Sequence, residues 1–204
     1  SACNKQHFKT RRSFIMTELE KYIQSFFGVT IEDAVKISEW FTPITLKKGD
    51  YYLHAGRYSD RMGFVQSGIL REYFATGERE VTKWISTKGY FALDLASFLF
   101  DKTARWNMQA LVDTEMYVID KARYRELGKL IPRWTELEKL FIAKCFTVLE
   151  DRVVAHLSMT AEERYQQLFH FNKELFNLVP LQYLASMLGM TPETLSRLRK
   201  KSVG

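Results

Sequence analysis

The chain has 204 residues, of which 46% are hydrophobic and 26% are charged. This composition is typical of a globular protein and excludes a disordered or collagen-like chain. The formal net charge of +6 is concentrated at the two ends: residues 1–15 carry four basic residues and no acid, and residues 193–204 carry four basic residues and one acid. The stretch between them is close to neutral. A basic C-terminal end on a neutral body indicates a localised contact with a polyanion.

The cysteines and the apolar runs indicate the compartment. Cys3 and Cys145 provide neither a disulfide framework nor a Cys-x-x-Cys metal site, which favours a reducing cytoplasm. The longest apolar run, residues 90–100, contains Asp94 and is too short to span a bilayer, so no membrane association is expected. The N-terminal stretch lacks the pattern of a secretion signal. We expect residues 1–15 to be an N-terminal extension without fixed structure, preceding a natural start at Met16.

The first part of the chain predicts two short helices followed by strands. Apolar residues recur at helical spacing on both sides of Gly28. After residue 40 the pattern changes to short alternating segments separated by glycine-containing turns, which indicates strands over residues 62–66, 69–75, 81–86 and 108–119. Strands with turns every eight to twelve residues or so are typical of an antiparallel sandwich or barrel. We therefore predict a β-roll or jelly roll.

Residues 134–157 predict one long helix with two opposed apolar stripes. The stripe expected to cover the β-roll comprises Leu137, Leu140, Phe141, Val148 and Ala155. The other comprises Ile142, Phe146, Leu149, Val153 and Leu157, with the spacing of a coiled-coil seam. The alternative is a core helix buried on both sides within one chain. Little sequence remains to cover the second stripe, so we favour a two-fold homodimer with Ile142, Phe146, Leu149 and Val153 at its seam.

The C-terminal segment has the pattern of a helix-turn-helix. Thr160 and Glu163 form a capping box before a helix over residues 161–171. A short helix with an apolar face follows, and Gly189 supplies the left-handed residue that ends it. Thr191 is then an N-cap, and Pro192 takes the first helical position of a second helix.

The second helix presents one polar face. Glu193, Ser196 and Arg197 fall on this face and are expected to read bases in the major groove. Flanking residues and one residue of the first helix are expected to contact phosphates: Gln182, Thr194, Arg199, Lys200 and Lys201. The alternative is an ordinary solvated helix with a basic end, which the capped, glycine-turned helix pair disfavours.

The order of β-roll, long helix and helix-turn-helix resembles the Crp/Fnr superfamily of bacterial transcription regulators. The most specific match is residues 184–201, and residues 68–73, 109–111 and 117–119 resemble the family's β-roll. The resemblance implies an α+β fold with an N-terminal double-stranded β-roll resembling a cyclic-nucleotide-binding jelly roll. It implies domains at residues 16–132 (β-roll), 133–157 (dimerisation helix) and 158–204 (helix-turn-helix). The implied partners are double-stranded DNA, a second copy of the chain, RNA polymerase and an unidentified small-molecule effector.

The chain departs from the members that bind cyclic AMP. Those members carry Gly-Glu at the start of a phosphate-binding cassette and Arg before Ser or Thr, whereas here Gly89 precedes Tyr90 and Arg105 precedes Trp106. Gly89, Asp94 and Arg105 are candidates for an altered effector pocket, although Asp94 also fits a local turn cap. We expect that cyclic AMP is not the effector. Two cysteines also cannot supply the four ligands of the oxygen-sensing branch, and no cofactor is expected.

Two further functions compete with sequence-specific transcription regulation. One is an effector-binding or protein-interaction module whose DNA-binding motif is non-functional, and the retained polar face argues against it. The other is an enzyme of the cupin type, in which histidines and a carboxylate hold a metal. The four histidines, His7, His54, His156 and His170, are scattered, and no nucleophile or phosphate-loop motif is present. We therefore predict neither a metal site nor an enzymatic activity.

Overall fold

A computed structural model describes residues 16–203, with side chains as far as residue 201. The expectation for residues 1–15 lies outside this range. The helices are α1 (Glu18–Phe27), α2 (Ile31–Ser38), α3 (Leu95–Phe100), α4 (Lys121–Leu130), α5 (Trp134–Ser158), α6 (Ala161–Phe171), α7 (Leu175–Leu178), α8 (Leu181–Met187) and α9 (Pro192–Val203). The strands are β1 (Thr42–Leu46), β2 (Tyr51–Leu53), β3 (Arg61–Ser67), β4 (Leu70–Thr76), β5 (Arg79–Ser86), β6 (Phe91–Ala92), β7 (Asn107–Ala110) and β8 (Thr114–Asp120).

The eight strands form two four-stranded antiparallel sheets, with the orders β1-β8-β3-β6 and β2-β7-β4-β5. The predicted β-roll is confirmed. The pattern over residues 108–119 belongs to two strands, because the chain turns between Ala110 and Thr114 and β7 and β8 join different sheets. The space between the sheets is filled by apolar side chains, including Tyr52, Met108 and Met116.

Two short helices precede the β-roll, as predicted. Helix α1 begins with a capping box between Thr17 and Glu20, and it ends at Gly28 with φ +68°. Its buried face, with Ile23 and Phe27, packs in one apolar cluster with Trp134 and Phe141 of α5. The N-terminal helices therefore fix the first half of α5 against the β-roll.

Helix α5 confirms the predicted long helix, but only part of the predicted core stripe is buried. Leu137, Phe141 and Ala155 are buried, whereas Leu140 and Val148 are half exposed. Leu140 points away because it lies about a quarter turn from the centre of the buried face at 100° per residue. Val148 lies near that centre but lines a cavity instead of a packed core. Among the described residues, no helix is both long and apolar enough to cross a membrane.

The C-terminal helices pack around a separate apolar cluster. Helix α5 ends at Met159, which has an extended backbone conformation. Thr160 and Glu163 then form the predicted capping box at the start of α6. The cluster includes Tyr165, Phe176 and Leu184, and it also contains Ile69 and Ile85 of the β-roll. The C-terminal helices are thus docked on the outer face of the β2-β7-β4-β5 sheet.

Candidate functional site

Helices α8 and α9 form the predicted helix-turn-helix, and the connecting turn has the expected local chemistry. Gly189 has φ +66°, a left-handed conformation that favours glycine. The Thr191 hydroxyl accepts a hydrogen bond from the Thr194 amide at 3.2 Å, which caps the start of α9. Leu195, on the inner face of α9, is fully buried. The turn and the buried leucine together fix which face of α9 points outward.

The outward face of α9 carries the three residues predicted to read bases. Glu193 and Arg197 are exposed and Ser196 is half-buried. A hydrogen bond from its own backbone amide, helped by the Thr191 hydroxyl and by the charge of Arg197, lowers the pKa of Glu193. Its carboxylate is therefore ionised at neutral pH and can accept hydrogen bonds. The Arg197 guanidinium donates to the Thr194 hydroxyl at a long 3.4 Å.

The predicted phosphate-contacting residues lie around this face. Gln182 and Lys200 are exposed, and Thr194 and Arg199 are half-buried. Lys201 is exposed, but its ammonium forms an ion pair with Glu162 of α6 at 2.8 Å. A solvent-exposed ion pair of this kind is weak, so it leaves the ammonium available to a phosphate. The structure thus places all eight predicted residues on α8 and α9, on one small domain.

Helix α8 is held against the β-roll by polar contacts that the sequence did not reveal. The Ser186 hydroxyl accepts a hydrogen bond at 2.9 Å from the amide of Thr82, on the edge strand β5. Arg71 of β4 is 1% exposed, and its guanidinium lies 3.6 Å from the centre of the Tyr183 ring. The same guanidinium forms an ion pair with Glu80 at 2.7 Å. These contacts couple the β4-β5 hairpin to the first helix of the helix-turn-helix.

Arg152 of α5 links the same two parts of the molecule. Its guanidinium donates to the carbonyl of Lys83 in β5 and, at 3.1 Å, to the carbonyl of Met187 in α8. It also lies over the ring of Trp84. The sequence alone does not distinguish Arg152 from an ordinary exposed charge on a helix. The signal that could have identified its bridging role is its position between the two apolar stripes of α5.

The three candidate effector-pocket residues make structural contacts. The Asp94 carboxylate accepts hydrogen bonds from the amides of Ser97 and Arg105, so it caps α3 and fixes the following loop. The Arg105 side chain is exposed and lies near the ring of Trp106. Gly89 is buried against Tyr22, whose hydroxyl would lie 2.5 Å from an added Cβ atom. The alternative that Asp94 caps a local turn is therefore the one the structure favours.

An aromatic and charged cluster lies next to these residues, at the β5 end of the sheet. Lys83 pairs with the buried carboxylate of Glu72 at 2.8 Å, and its ammonium lies over the ring of Trp106. Trp84 contacts Tyr90 edge to face. Because each charge is paired or covered by a ring, this cluster is already satisfied without a ligand.

Comparison with known proteins identifies the middle of the chain. Residues 43–129 match the family model described as "Cyclic nucleotide-binding domain". This stretch, which spans most of the β-roll and α4, is therefore similar to cyclic nucleotide-binding domains. No curated protein matches the sequence. The β-roll and the helices beyond it nevertheless resemble solved structures over most of their length.

Three of those structures are regulators of the Crp/Fnr type. FixK2 from Bradyrhizobium japonicum is 16% identical, with a TM-score of 0.67 over 79% of this chain and 83% of that one. The c-di-GMP responsive regulator CLP from Xanthomonas campestris is 16% identical, with a TM-score of 0.63 over 84% and 91%. The catabolite activator protein of Thermus thermophilus is 20% identical, with a TM-score of 0.55 over 86% and 84%. The predicted fold, a β-roll followed by a long helix and C-terminal helices, is thus confirmed.

Proposed function

We propose that the chain is a sequence-specific DNA-binding transcription regulator. The observation that carries this proposal is the outward face of α9, where Glu193 and Arg197 are exposed while Leu195 is buried. Arg197 can donate twice to a guanine edge in the major groove, and Glu193 can accept from a cytosine amino group. A helix-turn-helix that had lost DNA binding would have no reason to keep this face.

The active form proposed is a homodimer on a near-palindromic site. Phe146, Leu149 and Val153 form a continuous stripe on α5 in which each side chain is more than half exposed, and Leu157 extends it. Ile142, the fourth predicted seam residue, is half-buried against the α1 cluster at one end of the stripe. Exposed apolar patches of this kind mark interaction surfaces. Pairing two α5 helices would carry two recognition helices, which contact successive major grooves about 34 Å apart.

The proposed sensor does not use cyclic AMP. A cyclic nucleotide needs a carboxylate for its ribose and a guanidinium for its phosphate. Both carboxylate oxygens of Asp94 already accept hydrogen bonds from backbone amides, and the Arg105 side chain is exposed. The interior of the β-roll is filled by Tyr52, Met108 and Met116, among others.

Effector binding, contact with RNA polymerase and a cytoplasmic location belong to this same proposal.

Selection of DNA fragments from a random pool by the purified protein, followed by sequencing, tests the proposal. We expect an enriched site with two-fold symmetry and half-sites about ten base pairs apart. The same selection with Arg197→Ala should lose one conserved base pair in each half-site. If wild-type protein enriches no sequence, the chain is instead an effector-binding or protein-interaction module.

A further inference from the structure

A cavity lies where the β-roll, the second half of α5 and the C-terminal helices meet. Its volume is about 420 Å³, within the range of small-molecule sites in proteins. Most of its wall is apolar, with Trp84 and Tyr90 on one side, Val148 and Ala155 from α5, and Phe171 from α6. It is separate from Asp94 and Arg105, which do not line it.

Two arginines line the same cavity, and neither forms an ion pair with a carboxylate among the residues that the structure describes. Arg152 donates to the carbonyls of Lys83 and Met187. Arg164 donates to the carbonyls of Leu188, at 2.8 Å, and Met159, at 2.6 Å. Within the described part of the chain, no carboxylate lies within 4.0 Å of either guanidinium.

The charge balance around the cavity is therefore positive. Burial lowers the pKa of the Arg152 guanidinium, and only Glu72, whose carboxylate is already paired with Lys83, opposes this effect. Asp151 and His156 also line the cavity; Asp151 forms no ion pair with either arginine, and the His156 ring faces the Arg152 carbonyl at 2.9 Å. Both arginines are half-buried, and a half-buried cation without a counter-charge attracts an anion that enters the cavity.

We infer that this cavity binds a small amphipathic anion, a carboxylate on an aliphatic or aromatic body, with its charge on Arg152. A guanidinium has five N–H donors, and the two carbonyl contacts leave donors free for a carboxylate. The apolar body contacts Val148, Phe171 and the ring of Trp84, since these residues line the rest of the cavity.

The site also suggests how binding alters the C-terminal helices, a consequence that rests on the proposed function. Arg152 joins β5 to α8, and Arg164 joins Met159, where the chain leaves α5, to the turn before α9. A carboxylate that binds the remaining Arg152 donors draws the guanidinium into the cavity, away from the carbonyls of Lys83 and Met187. Binding therefore weakens the contacts that hold α8 on the β-roll and changes the affinity for DNA.

Isothermal titration calorimetry with octanoate, compared with uncharged 1-octanol, tests the site. We expect one octanoate per chain and about tenfold or more weaker binding of octanol, since a charged hydrogen bond contributes at least the free energy of one decade in affinity. Arg152→Gln should weaken octanoate about tenfold or more, while Arg105→Gln, a matched change at an exposed arginine outside the cavity, should leave it unchanged. Equal affinity for octanoate and octanol, no saturable octanoate binding, or equal losses in the two variants would overturn the inference.

A second pair of variants tests where octanoate binds without removing a charge. Val148→Phe fills the cavity, whereas Val154→Phe places the same ring on the same helix outside it. The two valines are 52% and 59% exposed, so both variants should fold, as circular dichroism would check. Octanoate binding that survives Val148→Phe would place the ligand elsewhere.

DNA affinity measured with and without octanoate separates this inference from the proposed function. A change in affinity that disappears in Val148→Phe supports both. If octanoate binds as expected but the protein selects no DNA sequence, the ligand site stands and the proposed function fails. If the protein selects DNA but octanoate does not bind, the proposed function stands and the ligand site fails.

Discussion

The guanidinium of Arg71 lies 3.6 Å from the centre of the Tyr183 ring and stacks on its face. Arg71 belongs to strand β4 and Tyr183 to helix α8, so this contact joins the β-roll to the helix-turn-helix. The same guanidinium lies 4.2 Å from the centre of the Tyr73 ring. A buried cation in contact with two aromatic rings is a rigid link, because the rings and the Glu80 carboxylate together fix the position of the guanidinium.

The first prediction is that this contact stabilises the docked arrangement. In a double-mutant cycle of Arg71→Met and Tyr183→Leu, we expect a coupling energy of about 1 to 2 kcal/mol, the range of a desolvated cation–π pair. Free energies of unfolding from urea denaturation provide the measurement. A coupling energy near zero would mean that the stacking contributes nothing beyond the burial of the two side chains.

Much of the C-terminal domain could be predicted because its signals are local. Gly189, Thr191 and Pro192 each favour one backbone conformation, whatever the rest of the chain does. The docking of α8 on the β-roll could not be predicted in this way. Arg71 lies in an alternating strand pattern, where an arginine normally indicates a solvent-facing position, and only the tertiary fold brings Tyr183 and Ser186 against that face.

Helix α5 shows the same limit at a single residue. Periodicity placed Val148 on the core-facing stripe, and its direction is correct. Periodicity does not tell whether a packed side chain or an open cavity lies opposite, and here it is a cavity. Helical spacing alone, in contrast, places the candidate seam residues on one face of the helix, and three of the four are exposed.

The second prediction concerns the proposed homodimer. Leu149 and Leu140 lie on the same helix and are 52% and 51% exposed, but only Leu149 belongs to the predicted seam. Leu149→Glu places two carboxylates in an apolar interface without counter-charges, which should dissociate the dimer. Leu140→Glu should leave it intact. Size-exclusion chromatography with light scattering measures the mass of each variant. If both variants are dimers, or both are monomers, the predicted seam is wrong.

The third prediction is that cyclic AMP does not bind. Titration of the wild-type protein with cyclic AMP should give no saturable heat and no change in DNA affinity, because Asp94 is occupied by two backbone amides and the β-roll interior is filled. Octanoate titrated into the same preparation serves as the control for a competent sample. Saturable binding of cyclic AMP with altered DNA affinity would contradict this prediction.

The fourth prediction uses the turn before α9. Gly189→Ala and Gly77→Ala both place a side chain in a left-handed conformation, which costs about 1 kcal/mol each. At Gly77 an added Cβ would meet no atom within 4 Å, whereas at Gly189 it would lie 3.2 Å from the His156 ring. Gly189→Ala should therefore also displace α9 and weaken binding to the selected DNA site. Gly77→Ala should lose stability with unchanged DNA affinity, and equal DNA affinity in both variants would show that the His156 contact does not position α9.

The last prediction distinguishes base reading from phosphate binding on α9. Arg197→Ala should weaken binding to the selected site by about 1 to 3 kcal/mol and relax the preference at one base pair, because the bidentate contact with that base is lost. Lys201→Ala should weaken binding to selected and random DNA alike and reduce the salt dependence by about one counterion per chain. Its ion pair with Glu162 is exposed, so this loss should not destabilise the fold appreciably. Electrophoretic mobility shifts on both DNAs at several salt concentrations provide the measurement, and equal losses on selected and random DNA for Arg197→Ala would show that Arg197 positions the protein without reading a base.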